Sequence, residues 1–165
     1  MPASKSAPQN ATPSKLRALG GDLHWCAVRL ARGLGSIEER VVRKHQLSLR
    51  GYVVLTAIAE QPMASQLEIA RMGAFDKSVL VGLLDELEKS GLVVRTPDPS
   101  DRRAKLLRLT DKGEKVLAAA TVAVIDIENA LLASIPANSR DAFLAALRQV
   151  ANSDFAATFS ADTCS

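Results

Sequence analysis

The sequence predicts a mainly helical chain interrupted once by a small β-hairpin. Apolar residues recur at helical spacing along most of its length. Caps and breakers cut that pattern into separate segments. One stretch alternates apolar and polar residues in two short runs around a proline- and arginine-containing loop. Hydrophobic residues make up 47% of the 165 positions and aromatics only 4%. The core must therefore be built from Leu, Val, Ile and Ala, a balance that favours helices.

Taken in order, residues 1–14 are rich in Pro, Ser, Ala and Asn and are expected to form a disordered arm. From about Lys15 to Lys44, Leu23, Cys26, Ala27, Leu30, Leu34, Ile37 and Val41 share one helical stripe, which predicts a long helix bent near Gly33 and Gly35. Ser48 is placed to cap a second helix with Tyr52, Leu55, Thr56 and Ala59 on one face, ended by Gln61-Pro62. Ser65-Gln-Leu-Glu68 is a capping-box pattern opening a short helix to about Met72. After a turn at Gly73-Ala74-Phe75, Asp76 caps the next helix. That helix turns Leu80, Leu83, Leu84 and Leu87 inward and stops at Gly91. Leu92–Thr96 and Lys105–Leu109 read as strands joined by the loop Pro97–Ala104. Thr110 caps a further long helix carrying Leu117, Ala120, Val124, Ile127 and Leu131, ending near Ile135-Pro136. Asn138 opens the last helix, with Phe143, Ala146, Leu147 and Val150 on one face.

Two helices joined by a tight turn form a helix-turn-helix pattern, whose second helix enters a major groove. A hairpin directly after that helix is a wing, which can place an arginine in the neighbouring minor groove. The fold expected is a winged helix-turn-helix at residues 48–113. A dimerisation helix precedes it at 15–47, C-terminal dimerisation helices follow at 114–154, and 155–165 form a tail. The outer helices carry more apolar surface than one small domain can bury, which points to a symmetric homodimer.

The formal charge of +3 is modest. Between Lys89 and Lys115, however, eight Lys/Arg face four Asp/Glu, and a dimer would present that patch twice, as suits DNA. Two cysteines without a Cys-x-x-Cys pattern argue against a disulfide framework or a zinc site. His24, Cys26 and His45 fall on different helical faces, so no metal site is expected. No signal peptide or bilayer-length apolar run is seen, so the expected setting is cytoplasmic and nucleoid-associated, with no membrane partner. Catalysis has no support. Gly33-Leu34-Gly35 lies within a helix and lacks a third glycine, and neither histidine has triad-type neighbours. No cofactor is expected.

The order of elements, and above all Asp98–Leu117 (DPSDRRAKLLRLTDKGEKVL), resembles the MarR family of multiple-antibiotic-resistance regulators. Leu83–Arg95 looks like that family's recognition-helix end and first wing strand, and Ser65–Ser78 like the preceding helix and turn. The similarity is close over about Ser48 to Leu117. It implies a dimeric winged-helix regulator, usually a repressor, of a pseudo-palindromic double-stranded DNA operator. Many such proteins release DNA when a small aromatic or phenolic ligand, or an oxidant, acts near the junction of the dimer and DNA-binding parts. By position, Arg103 resembles the wing-tip arginine of the minor groove, and Asp101 the acid that holds the tip in shape. Lys77 and Ser78 stand at the start of the recognition helix, near phosphates and bases. Arg102, Lys105 and Arg95 are further candidates for DNA contact.

Two features depart from the family pattern. The recognition helix reads Val79, Val81 and Gly82 where polar residues, threonine and arginine are common. Valine offers base edges only contact with a thymine methyl. This face is either a degenerate DNA surface or a sign of drift toward a ligand- or protein-binding module on the same fold, with operator binding weakened or lost. The turn carries Gly73 then Ala74, where the family more often has an apolar residue then glycine. On the first helix, His24, Trp25 and Cys26 are candidates for an effector pocket. Cys26 lies on the apolar stripe and is expected to be buried and inert. Its alternative is an oxidant sensor, since some members of the family sense oxidants through a first-helix cysteine.

Overall fold

The computed structural model describes residues 21–73, 75–98 and 105–153. The terminal arm and tail, Ala74 and the hairpin tip with Asp101, Arg102 and Arg103 lie outside the described residues. The chain runs α1 (Leu23–Val42), α2 (Leu49–Glu60), α3 (Gln66–Met72), α4 (Lys77–Lys89), β1 (Val93–Pro97), β2 (Lys105–Leu109), α5 (Asp111–Leu132) and α6 (Arg140–Ala151). Short 3-10 turns at Arg43–His45 and Ala137–Ser139 precede α2 and α6.

Side-chain caps start four of the helices. Asp22 accepts from the Trp25 N–H at 2.8 Å, so α1 begins at Leu23 and not at Lys15. It then runs as one helix through both Gly33 and Gly35 to Val42. Ser48 caps α2 through the Gly51 N–H, and Thr110 caps α5 through that of Gly113. Ser65 and Glu68 form the reciprocal capping box of α3, and those bonds from the Ser65 backbone and hydroxyl hold the Glu68 carboxyl below its ordinary value. Asp76 occupies the cap position of α4 by conformation, without a side-chain bond.

The core lies where α2, α4, the hairpin and the start of α5 meet. Leu55, Ile58, Ile69, Leu80, Leu84 and Leu107 are its largest fully buried side chains. The stripe expected on α2 is misplaced. Val54, Leu55, Ala57 and Ile58 are buried, Tyr52 and Thr56 are half-buried, and Ala59 is exposed. The helix is apolar at almost every position and is packed by α1, α4, α5 and β2, so periodicity alone could not choose its inner face. Strand β1 begins one residue later than expected and takes in Pro97. Helix α5 ends at Leu132, three residues before Ile135-Pro136, and α6 starts at Arg140 after its 3-10 turn.

Strands β1 and β2 pair antiparallel, Val93 opposite Leu109 and Pro97 opposite Lys105. On its other side β2 is bonded to the chain before α3: the Met63 N–H donates to the Leu107 carbonyl, and the Leu107 N–H to that of Ala64. The hairpin is thereby tied to the helix-turn-helix rather than projecting alone.

The end of α4 is stitched to the start of α5. Gly91 turns the chain with φ +69°, a left-handed conformation that suits glycine. The carbonyls of Ser90, Gly91 and Leu92 then accept bonds from the Lys112 ammonium, the Thr110 hydroxyl and the Thr110 N–H, at 2.8, 2.7 and 3.0 Å. Gly113 lies so close that a Cβ there would overlap the Leu92 carbonyl oxygen.

Helices α1 and α5 pack side by side, yet both leave apolar residues uncovered: Leu23 is 74% exposed and Val122 62%. Helix α6 leaves a groove against them lined by Leu30, Leu34, Leu131, Phe143, Leu144 and Leu147. Between α1 and α5, burial pushes the Glu38 carboxyl above its ordinary value, and the nearby Glu128 charge adds to the shift. No single helix among the described residues is long and apolar enough to cross a membrane.

Two predictions follow from this packing. Gly113→Ala forces a methyl against backbone and is expected to destabilise by about 1–3 kcal/mol or more, read as a lowered Tm. A carboxyl whose folded pKa is raised contributes stability that is lost as pH rises through that pKa. Glu38→Gln is therefore expected to raise Tm at pH 7–8, with its advantage shrinking as pH falls through the carboxylate range. An advantage independent of pH counts against burial of the charge.

Candidate nucleic-acid interface

Helix α4 presents the surface expected to read DNA. At 100° per residue, Ser78, Gly82 and Asp85 centre the face opposite the buried Leu80, Leu84 and Leu87. Lys77, Ser78, Val81 and Gly82 are exposed, and Val79 is half-buried. Of the two valines, Val81 is thus the more available. The turn that delivers α4 explains one departure from the family pattern. The Phe75 ring lies over Gly73, where any Cβ would overlap it, and the Phe75 N–H closes the turn on the Ala70 carbonyl at 2.9 Å.

Arg95 does not stand free toward phosphate. It follows Val93 on the inward face of β1 and is half-buried. One terminal nitrogen pairs with Asp85 at 2.7 Å and Glu88 at 3.0 Å, both on α4. Its remaining two nitrogens are buried without a hydrogen-bond partner among the described residues. A charged group in that position needs counter-charges nearby, and the two carboxylates supply them. The arginine therefore clamps the wing to the recognition helix and neutralises acids that would otherwise repel DNA. Strand alternation, with Asp85 and Glu88 three apart on one helix flank, was the signal for this role.

Lys105 is exposed at the start of β2, and Arg108 is exposed on the outer face of the same strand, opposite Val94. Arg108 was not among the sequence candidates. It also lines a cavity of about 730 Å³ formed by the end of α2, the end of β2 and the first turns of α5, with Ile58, Pro62, Leu109, Leu117 and Thr121 among its walls. Glu114 is a second charged group on that wall.

The other candidate pocket is arranged differently. His24, Trp25 and Cys26 are all exposed at the start of α1. The expectation that Cys26 is buried is therefore corrected: it is exposed near the start of α1, while the α1–α5 cavity begins further along the helix, at Arg29. A second cavity of about 470 Å³ begins further along α1, between Arg29, Leu30, Gly33, Leu34 and Ile37 and the last turns of α5. Neither of these two cavities is lined by His24, Trp25 or Cys26.

The MarR family model matches residues 47–105, which span α2 through the start of β2. The transcriptional regulator HosA of Escherichia coli is 33% identical over 101 residues, 61% of this chain and 75% of the relative. A MarR-family transcriptional regulator from Rhodococcus sp. RHA1 superposes with a TM-score of 0.76 at 31% identity, over 84% of this chain and 99% of the other. The chain belongs to the MarR family.

The transcriptional repressor CouR, bound to a 23-mer DNA duplex, matches with a TM-score of 0.77 at 33% identity, over 86% of this chain and all of that one. CouR from Rhodococcus jostii RHA1 bound to p-coumaroyl-CoA matches at 0.74 and 32%, over 84% and 98%. The MarR match includes the helix-turn-helix and the clamp residues Asp85, Glu88 and Arg95.

Arg95→Ala leaves two unpaired carboxylates beside the reading face. Because both acids are partly exposed, each pair contributes only about 0.2–1 kcal/mol. A modest fall in Tm is expected, together with weaker DNA binding whose deficit relative to wild type narrows as salt screens the two carboxylates. Wild-type binding by this variant contradicts the clamp.

Proposed function

We propose that this protein is a homodimeric repressor that binds a pseudo-palindromic operator and releases it when a small aromatic or phenolic ligand occupies the cavity between α2, β2 and α5. The observation that carries this reading is the stitched joint between α4 and α5. It makes the reading helix a rigid extension of the helices that carry the uncovered apolar surface. The likeness to CouR, solved both on DNA and with p-coumaroyl-CoA, supports both halves of the proposal.

The uncovered stripes of α1 and α5 and the groove beside α6 are covered by a second copy. Each copy then presents one α4, and the two must sit about 34–36 Å apart to enter successive major grooves. Lys77 and Ser78 meet the backbone at the start of α4. Arg102, Arg103 and Lys105 carry the wing's positive charge, with Arg103 in the minor groove and Asp101 holding the tip. The cavity wall is mostly apolar with Arg108 and Glu114 as its charged groups, so it suits a flat apolar ligand whose carboxylate or phenolate meets Arg108 and whose neutral or donor edge faces Glu114. A ligand there bears on α2, β2 and α5 together and alters the separation of the two recognition helices.

The test is binding to the DNA upstream of the protein's own reading frame. Arg103→Ala is expected to weaken binding about ten- to a hundredfold while the dimer persists in solution, and to make the salt dependence shallower by about one unit of log–log slope. Unchanged affinity removes the wing from the mechanism. Ala118→Trp, which fills the cavity, is expected to keep operator affinity but abolish release by a panel of phenolic carboxylates. Retained release places the ligand elsewhere.

A further inference from the structure

Gly82 has no reason to exist in the fold alone. Glycine is among the least favourable residues inside a helix, and Gly82 lies in the middle of α4. A Cβ there meets nothing within 4 Å. The other described glycines of the winged unit each answer to a constraint. Gly51 lies tight against the Ser48 cap, Gly73 under the Phe75 ring and Gly113 on the Leu92 carbonyl, while Gly91 has a left-handed φ. Gly82 instead opens a notch at the centre of the exposed face.

The residues around the notch offer base edges few hydrogen-bonding groups. Val79 and Val81 flank it, Ser78 lies one turn before it, and Asp85 one turn after is held by Arg95. None of these five positions carries the Arg, Lys, Asn or Gln that makes paired hydrogen bonds to guanine or adenine. Lys77 and Lys89 stand at the two ends of the helix, placed for phosphates rather than for the groove floor. What the middle of α4 offers a base pair is an isopropyl group and a bare backbone. In the major groove the matching feature is the thymine C5-methyl.

We propose that Gly82 is a close-approach site through which the recognition helix settles deeper into the major groove, and that Val81, with Val79, reads thymine methyl groups there. The proposal rests on the DNA-binding reading above. It assigns base specificity to apolar contact rather than to hydrogen bonds.

The experiment uses the full-length protein and duplexes enriched by it from a random-sequence library. Thymines of each half-site are replaced one at a time by deoxyuridine, which lacks only the methyl group. At one or two positions per half-site affinity is expected to fall roughly three- to tenfold, an apolar contact being weaker than a bidentate one. Val81→Ala is expected to lose a similar factor on thymine DNA and nothing further on the deoxyuridine duplex. Gly82→Ala is expected to raise Tm and yet bind the enriched duplex more weakly by about tenfold or more, since steric exclusion acts on every contact the helix makes. Indifference to every deoxyuridine, or wild-type binding by Gly82→Ala, overturns the proposal while leaving a specific DNA-binding protein. Failure to enrich any sequence or to bind DNA at low salt overturns the repressor reading and this proposal together.

Discussion

Everything the molecule does with its reading helix passes through the peptide of Leu92. A chain leaving a helix must find partners for its backbone, and just past the end of α4 three successive carbonyls from Ser90 to Leu92 are satisfied by residues at the start of α5. Gly113 closes the gap, because only a residue without a side chain can lie on the Leu92 carbonyl. Helix α4 therefore cannot tilt without carrying α5 with it. The Arg95 clamp extends the rigid body to the wing, since it fixes β1 to the flank of α4. Helix, hairpin and the first turns of α5 form one unit, joined by short polar bonds at its edges and by Leu80, Leu84, Val93 and Leu107 inside.

Rigidity of that kind is what lets a small event matter. Two recognition helices docked one helical turn apart tolerate little change in spacing, and a stiff joint transmits motion instead of absorbing it. The cavity reaches the α5 side of that joint: Leu109 and Arg108 line it from the strand, Leu117 and Thr121 from α5, and Ile58 from α2. The Tyr52 hydroxyl and Thr121 face each other at 3.5 Å across the α2–α5 contact, a weak polar link where a bound molecule has most to gain. A ligand shifts an equilibrium only by its difference in affinity for two arrangements. A cavity with α2 on one wall and the rigid unit of β2 and α5 on the other meets that condition better than one enclosed within a single element.

The helices were legible because their ends carry local chemistry: Ser48, Ser65 and Thr110 each signal a cap three residues ahead, and Gly91 signals a stop. The wing was legible from alternation around a turn. What sequence could not show was set by partners distant along the chain. The inner face of α2 depends on elements on several sides, and its run from Tyr52 to Ala59 is apolar enough to fit more than one stripe. Cys26 sits on a regular stripe, but it is exposed near the start of α1, ahead of the α1–α5 cavity. Arg95 lies among clustered basic residues, and alternation along β1 hints at its inward position, but its meeting with Asp85 and Glu88 depends on how the strand packs on α4. Glu39 gives no local hint that its carboxylate accepts the Leu49 N–H at 2.6 Å and so ties α1 to α2. The exposure of the α4 start and of Lys105 agrees with their expected position; Arg108 escaped notice because its double position on strand and cavity exists only in three dimensions.

The chemistry of the interface divides affinity from discrimination. In the proposed reading, cations at the start of α4 and along the wing meet phosphates, and phosphate contacts position a protein without reading sequence. Asp85 and Glu88 would oppose that attraction if unpaired, so the clamp on Arg95 serves electrostatics as well as packing. The same reading leaves discrimination to the middle of α4, where hydrogen-bonding groups are scarce, and to the wing arginines, which would respond to groove width. A surface of this kind favours sites rich in A·T pairs, since these carry the thymine methyls and form the narrow minor grooves that attract arginine. Both reading devices then select the same composition from adjacent grooves, so a helix poor in donors need not be an indifferent one.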